Sequence, residues 1–138
     1  MSFLLDTNVV SEIRKKVPNA GVSAWFASVS ATDLFLSVLV VGEIRRGIER
    51  LARRDSVQAK IFEQWLSQLV DVYGDRIIPI TADVADVWGR LNVPDPVPVV
   101  DGLLAATALV HGWTLVTRNV DDVASTGVHL LDPFAKER

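Results

Sequence analysis

The sequence predicts an α/β fold with a central, mostly parallel sheet of about five strands and helices on both faces. Short apolar runs alternate along the chain with segments that show the 3.6-residue apolar spacing of helices. This alternation is typical of parallel sheets, whose strands are joined by helical crossovers. The chain has 138 residues, 49% of them apolar, so we expect a single domain over residues 1–138 with a substantial core.

The composition limits the classes of protein to which the chain can belong. It contains no cysteine, which excludes disulfides, thiolate metal sites and a cysteine nucleophile and suits the reducing cytoplasm. The longest uncharged stretch, residues 102–116, is shorter than the roughly 20 apolar residues of a membrane-spanning helix. Asp6 interrupts the N-terminal apolar run, so we expect no secretory signal. These features predict a cytoplasmic protein that does not associate with a membrane.

The N-terminal region is predicted to form a strand followed by helices. The apolar run Ser2–Leu5 ends at an Asp-Thr-Asn sequence, and all three residue types favour the start of a helix. Another helix, opened by Asn19 or Gly21, has apolar residues at positions 22, 25, 26 and 29, which share one face.

A buried strand and two helices are predicted next. The nearly uninterrupted apolar run Leu34–Val41 is typical of a buried parallel strand that leads into a helix. That helix carries Glu43, which we place in its opening turn. A longer helix begins at residue 55 or 56 and is ended by Gly74.

The following strand is predicted to be very short or to lie at an edge of the sheet. It covers Ile77–Ile80 and contains Pro79, which cannot donate a hydrogen bond to a neighbouring strand. Thr81 then caps an amphipathic helix, and residues 92–100, with three prolines, form an extended connector.

The last part of the chain is predicted to form a buried helix and two strands. Residues 102–110 carry no charge on any face, so this helix is expected to be buried all round, with Asp101 at its opening. The strand Thr114–Thr117 leads into a polar loop that ends in two acids. Val128–Leu131 forms the final strand, which ends before Pro133.

The topology predicts that four acidic residues meet at one edge of the sheet. Asp6, Glu43 and the pair Asp121 and Asp122 each follow a strand, and the carboxyl ends of parallel strands lie at the same edge. Asp101 opens a helix that leads into a parallel strand, so it lies at that edge too, and the connector before it is long enough to return there. The spacing does not decide between Asp121 and Asp122 as the fourth acid.

A cluster of carboxylates is stable only when a cation offsets the repulsion between them. Oxygen ligands without cysteine or clustered histidine select Mg²⁺ or Mn²⁺. We do not expect His111 or His129 to be ligands. Such an ion activates water and neutralises a phosphodiester in the transition state. The sequence therefore predicts metal-dependent hydrolysis of a phosphate ester.

Each acid also has a purely structural interpretation. Asp6 and Asp101 are good helix caps, Glu43 has basic residues on its own helix with which to form ion pairs, and Asp122 suits a turn. The functional prediction therefore depends on the convergence of all four acids.

We predict that the four tryptophans pack in the core and do not stack on nucleic-acid bases. They are Trp25, Trp65, Trp88 and Trp113.

The net charge and the local charge clusters support opposite interpretations of nucleic-acid binding. A net charge of −3 argues against a nucleic-acid-binding protein, which usually has a basic face. Basic residues nevertheless cluster at positions 14–16 and again between positions 45 and 54. On charge alone, a solvated and salt-bridged surface is the favoured interpretation of both clusters.

Four motifs that together span nearly the whole chain resemble those of the PIN domain, specifically its VapC or FitB-like toxin branch. The sequence Asp6-Thr7-Asn8 after the first strand resembles the opening motif, and Ser37 through Glu43-Ile-Arg-Arg-Gly47 resembles the second. The third motif is similar to the sequence Asp101-Gly-Leu-Leu-Ala-Ala-Thr-Ala108. The fourth is similar to Leu115-Val-Thr-Arg-Asn119 followed by Asp122.

The resemblance implies a three-layer PIN-like fold and a ribonuclease that uses Mg²⁺ or Mn²⁺ and acts as the toxin of a toxin–antitoxin pair. It also implies a homodimer that is inhibited by a small antitoxin, whose tail often places an arginine in the acidic site. Uncovered helix faces with tryptophan and leucine also favour a dimer. By the same resemblance, Asp6, Glu43, Asp101 and Asp122 form the acidic quartet, and the supporting polar groups are Thr7, Asn8, Thr117 and Asn119.

In our mechanistic hypothesis, Asp6 and Asp101 hold the metal most directly. Glu43 and Asp122 orient a water on the metal or a second ion. The residues assigned to RNA phosphates, or to acidic groups of an antitoxin, are Arg14, Lys15, Arg45 and Arg46.

Two alternatives belong to other functional classes. A phosphatase of the haloacid-dehalogenase type also begins with a strand that ends in aspartate. It requires a second aspartate where this chain has Asn8, and a downstream lysine, whereas residues 64–128 contain none. A non-catalytic PIN-like module that only binds RNA or protein is expected to lack one of the four acids, and here all four are present.

Overall fold

The computed structural model describes residues 1–134, which form five strands and seven α-helices. The predicted single domain extends to residues 135–138, which lie outside the described residues. In chain order the elements are β1 (Phe3–Leu5), α1 (Thr7–Ile13), α2 (Ala20–Ser28), β2 (Leu34–Ser37), α3 (Val38–Ala52), α4 (Ser56–Tyr73), β3 (Ile77–Ile78), α5 (Ala82–Leu91), α6 (Val99–His111), β4 (Thr114–Val116), α7 (Val120–Val123) and β5 (Leu130–Leu131).

The five strands form one sheet in the order β3-β2-β1-β4-β5, and every pairing within residues 1–134 is parallel. The chain builds the sheet outward from β1 to β3 and then crosses back to add β4 and β5 on the other side of β1. In sheets of this kind, ligands bind outside the carboxyl ends of the strands where the order reverses. That point lies between β1 and β4.

The helices form two layers, one on each face of the sheet. Helix α3 packs on α1 and α4, whereas α6 packs on α5 and α7 and covers β1 and β4. Parallel crossovers are right-handed, so the reversal in strand order after β3 moves the helices to the opposite face. The predicted three-layer arrangement is confirmed.

Most predicted helix starts are confirmed by hydrogen bonds. The Asn19 side chain accepts from two backbone N–H groups at the start of α2, which decides between Asn19 and Gly21. Asp55 and Thr81 accept from the first turns of α4 and α5 in the same way. Gly74 ends α4 with a φ of 48°, a conformation that other residues rarely adopt. The predicted short edge strand is β3, with two residues.

Three details of the prediction are wrong. Glu43 lies in the second turn of α3 and not in its opening turn, because the helix already begins at Val38 after the cap Ser37. Helix α6 begins at Val99 after Pro98, so Asp101 lies inside the first turn and is not the cap. The same helix is not buried all round, because side chains near its end, such as Leu109, are 37% exposed.

The polar loop predicted after β4 contains a short helix, α7, of four residues. The final strand is also shorter than predicted, since β5 covers only Leu130–Leu131. The start of β5 lies two residues after the predicted one. Helix α7 has no apolar periodicity in its sequence that would have predicted it.

The core lies between the sheet and its two helical layers. Leucines from β1, β2, β4 and α6 are fully enclosed there, among them Leu4, Leu36 and Leu104. Trp25 packs edge-to-face on Phe3, with the ring centroids 5.2 Å apart. Trp25, Trp65 and Trp113 are partly buried against the core, which confirms the packing role predicted for them. No helix within residues 1–134 is both long and apolar enough to span a bilayer.

Replacing Leu104, which is 0% exposed, by alanine should lower the free energy of unfolding by about 3 kcal/mol, because the substitution leaves a cavity under β1 and β4. Leu109→Ala on the same helix is the matched control and should cost less than about 1 kcal/mol. Urea unfolding of both variants measures the two values. Similar losses would contradict the placement of the core.

Candidate active site

Asp6 lies directly after β1, where the strand order reverses, and is only 4% exposed. Its Oδ1 accepts a hydrogen bond from the Thr7 N–H at 2.7 Å, and its Oδ2 accepts one from the Thr117 hydroxyl at 2.7 Å. Its own N–H donates to the carbonyl of Val116 at 2.9 Å, which joins it to β4. Burial raises the pKa of Asp6, and the charge of Glu43 adds to this, although both hydrogen bonds to the carboxylate oppose it.

Glu43 reaches the same edge from α3. Its Oε1 accepts a hydrogen bond of 2.6 Å from the Thr7 hydroxyl, and the side chain is half-buried. Within residues 1–134 it forms no ion pair, so the purely structural interpretation of Glu43 as a paired surface residue is wrong. The nearby cation Arg45 pairs instead with Glu63 at 2.8 Å.

Asp101 lies in the first turn of α6 and is half-buried. Burial raises its pKa to about 6, and the charges of Asp6, Asp122 and Glu43 contribute to this, while a hydrogen bond from the Asn119 side chain opposes it. The other three predicted acids therefore all lie within electrostatic reach of Asp101. Of the pair that spacing did not separate, Asp122 is the residue whose charge acts on Asp101.

The four supporting polar residues all contact this acidic site. Thr7 donates to Glu43, and Thr117 donates to Asp6. The Asn8 amide lies 3.5 Å from both the Asp6 carboxylate and the Thr117 hydroxyl. The backbone N–H of Asn119 donates to Thr117 at 2.9 Å, which links the loop after β4 to the same network. The structure thus brings together all eight residues that the motifs identified.

The four basic residues predicted to contact phosphates have different surroundings. Lys15 pairs with Glu12 at 2.9 Å, and Arg45 is neutralised by acids of α3 and α4. Arg46 is exposed and forms no ion pair within residues 1–134. Arg14 lies over the ring of Phe62, with 4.1 Å between the guanidinium carbon and the ring centroid. Their contact with RNA stays a prediction.

A groove of about 470 Å³ extends from Thr7 and Glu43 between α1, α3 and α4. Sequence reasoning missed it, because a groove depends on how α3 and α4 pack and not on the apolar face of either helix alone. Arg14 and Arg54 lie along it. Apolar side chains form most of its wall, namely Ile44, Ile48, Leu51, Phe62 and Trp65. The groove therefore combines an acidic end, an apolar wall and two basic groups.

The donor set fits a hard divalent cation. It consists of carboxylate oxygens, and the effects that shift the pKa of Asp101 include three like charges and no cationic side chain. No three acidic or histidine side chains in the described part of the chain already lie close enough together to hold an ion. A divalent cation would offset the repulsion between these carboxylates.

Asp101→Asn should stabilise the metal-free protein at neutral pH. The pKa of Asp101, about 6, exceeds the ordinary value of 3.8, so the folded state binds this proton more tightly, and stability falls as pH rises from about 4 to about 7. Removing the charge should add about 1 kcal/mol at pH 7.5, a value reduced for solvent exposure, and almost nothing at pH 4.

Urea unfolding in EDTA at the two pH values measures this difference. Asp121→Asn is the matched control, because Asp121 is exposed and is not among the charges that act on Asp101. If Asp101→Asn stabilised the protein equally at pH 4 and pH 7.5, the burial of the Asp101 charge and its repulsion by the other acids would not be the cause.

Comparison with known proteins agrees with this geometry. The chain is 30% identical to Toxin FitB of Neisseria gonorrhoeae, over 96% of this chain and 98% of that protein. It is 29% identical to the VapC ribonuclease Y4jK of Sinorhizobium fredii, over 96% and 97% of the two chains. The crystal structure of FitAcB from Neisseria gonorrhoeae superposes with a TM-score of 0.87 at 30% identity, covering 95% and 97%. Residues 3–126 match the PIN domain, and the chain belongs to that family.

Proposed function

We propose that this chain is a metal-dependent ribonuclease that hydrolyses RNA phosphodiester bonds and acts as the toxin of a toxin–antitoxin pair. The observation that carries the proposal is the convergence of Asp6, Glu43, Asp101 and Asp122 beside the reversal in strand order, where three of them add to the effect of burial in raising the pKa of Asp101. The names of the relatives support it, since one is called a toxin and another a VapC ribonuclease.

We assign Asp6 and Asp101 as the residues that hold Mg²⁺ or Mn²⁺ most directly. Glu43 and Asp122 lie around them and orient water or a second ion. A bound ion of this kind lowers the pKa of water and neutralises charge on a phosphate oxygen. The fit of the oxygen-only donor set to hard cations supports this assignment.

The polar residues of the chain orient the carboxylates before substrate arrives. Thr117 and the Thr7 N–H hold the two oxygens of Asp6, the Thr7 hydroxyl holds Glu43, and the Asn119 side chain lowers the pKa of Asp101. Outer contacts of this kind fix the rotamers of metal-binding carboxylates and tune their affinity. Exposed Arg46 and groove-lining Arg14 are the best placed of the predicted cations for phosphates of the RNA.

We propose that a small antitoxin protein inhibits the enzyme by laying a segment in the groove. Apolar side chains of the segment would pack on the wall around Phe62 and Trp65, acidic ones would pair with Arg14 or Arg54, and a basic one would face Glu43. The charge pattern of the groove supports this orientation. The chain would work as one domain in the cytoplasm, which its lack of cysteine suits.

We also propose a homodimer, on different residues from those the sequence indicated. Tryptophan is absent from the exposed large apolar side chains of residues 1–134, and leucine contributes only Leu109. Most of the others are valines, including Val38 at the start of α3 and Val70 and Val72 near the end of α4. These valines are the candidate contacts between copies.

Asp122→Asn should lower RNA cleavage by about 10- to 100-fold, because the site loses an acid that orients water or a second ion. Asp121→Asn, one residue away, should retain the wild-type rate. The assay is cleavage of a pool of structured RNAs by antitoxin-free protein in Mg²⁺ or Mn²⁺, with EDTA as the metal-free arm and Asp101→Asn as the inactive reference.

Metal-dependent cleavage that Asp101→Asn abolishes would support the nuclease. Cleavage that is identical in wild type and Asp101→Asn would be contamination and would count against it. Equal rates for the Asp121 and Asp122 variants would contradict the choice of the fourth acid. Absence of cleavage together with tight RNA binding would favour the alternative of a non-catalytic PIN-like module.

Gly47→Leu should weaken antitoxin binding by about tenfold or more, because the new side chain projects into the groove. Gly42→Leu is the matched control. Both glycines lie on α3, and a methyl group added at either would meet no atom within 4 Å, but Gly42 lines a separate cleft between α3 and α4. Calorimetry measures both affinities, with the small DNA-binding protein expected from the gene immediately upstream as the antitoxin. Equal affinities for the two variants would mean that the antitoxin docks outside this groove.

A further inference from the structure

The first turn of α6, which carries Asp101, has no side-chain cap. Its cap residue is Pro98, which contributes only a carbonyl that accepts from the Gly102 N–H at 2.8 Å. Three like charges act on Asp101 in this turn. Because a helix start without a side-chain cap leaves backbone N–H groups unsatisfied, a contact from another element helps to hold it in place.

Trp88 of α5 supplies that contact. A methyl group at Gly102 would lie 3.3 Å from both Cδ1 and Nε1 of the Trp88 indole, which is closer than an ordinary van der Waals contact. The edge of the indole therefore occupies the space beside the residue that directly follows Asp101. Gly102 is buried and leaves room for it.

Asn92 ties the same tryptophan to the chain that enters α6. Its Nδ2 donates to the carbonyl of Trp88 at 2.7 Å, and its Oδ1 accepts from the Val97 N–H at 3.0 Å. Val97 is itself within 3.5 Å of the methyl position at Gly102. Trp88, Asn92 and Val97 thus hold the start of α6 from the side of α5.

The indole N–H of Trp88 is buried without a hydrogen-bond partner in the described part of the chain. An unpaired buried donor lowers stability, so an apolar ring would serve better if the side chain only filled space. A local cost of this kind is typical of positions where function constrains the structure.

We propose that Trp88 is a positioning residue for Asp101. Its indole is seated against Gly102, and its backbone carbonyl is joined through Asn92 to the chain that enters α6. These contacts fix the first turn of α6 so that the Asp101 carboxylate stays beside the other acids. The catalytic part of this inference rests on the proposed function, whereas the position of Asp101 can be tested without any metal.

The first test measures Mn²⁺ binding to the full chain by calorimetry. Gly102→Ala should lower the affinity about tenfold, because the methyl group displaces either the indole or the helix start. Gly89→Ala on α5, where a methyl group meets no atom within 4 Å, is the matched control and should bind as wild type does. Trp88→Phe added to Gly102→Ala should restore most of the affinity, since the smaller ring makes room for the methyl group.

The second test needs no metal. In EDTA at pH 7.5, the stabilisation by Asp101→Asn should shrink when Gly102→Ala is also present, because a displaced Asp101 no longer meets the other charges, and should be unchanged with Gly89→Ala. If Gly102→Ala does not fold, Trp88→Phe alone is used in its place in both tests. It is then expected to lower the Mn²⁺ affinity and to reduce the stabilisation by Asp101→Asn.

The outcomes separate the two proposals. If Gly102→Ala loses stability but keeps its Mn²⁺ affinity and the full effect of Asp101→Asn, the inference is overturned. Trp88 would then be a packing residue only. Wild-type protein that does not bind Mn²⁺ would contradict the proposed function, while the metal-free comparison would still decide whether Trp88 positions Asp101.

Discussion

The burial of the Asp6 carboxylate is the constraint on which the rest of the site depends. A carboxylate removed from water is costly unless its oxygens accept hydrogen bonds. Asp6 meets this requirement with donors from two places, the start of α1 and Thr117 after β4. Because Thr117 in turn accepts from Asn119, the loop that leads to Asp122 is tied to the same carboxylate. The hydrogen bonds that satisfy Asp6 therefore also bring the fourth acid to the site.

Repulsion between the carboxylates would favour positive charge of more than one kind at this site. Burial raises the pKa of Asp101 and three neighbouring acids raise it further, so any cation that enters lowers the energy of the folded state. A divalent ion and a basic side chain of a partner would both do so. If the partner's segment runs along the groove toward Glu43, inhibition and metal binding draw on the same electrostatic energy, which makes the proposed antitoxin a direct competitor of catalysis.

The sequence was sufficient for the parts of the site that follow from strand order. Asp6 and Thr117 lie at the ends of neighbouring parallel strands, and this placement needed only the alternation of strands and helices. The start of α6 was misplaced because Asp101 is a better cap residue than Pro98, while the actual start is held by Trp88 across a gap in sequence. The groove was missed for a related reason, since α3 and α4 create it only by packing together. Long-range packing leaves no periodic signal in either segment alone.

Helix α7 shows how apolar burial supports a charged site. Four residues are too few for an independently stable helix, yet this one carries Asp122. Val123, the next residue, is 1% exposed and anchors the helix in the core, and the Thr126 hydroxyl donates to the Val123 carbonyl at 2.6 Å. The other acids have similar anchors, such as Ile44 beside Glu43 and Leu104 on the helix of Asp101. Each carboxylate thus lies next to or one turn from a core side chain. The hydrophobic core therefore supplies the energy that holds these like charges close to one another.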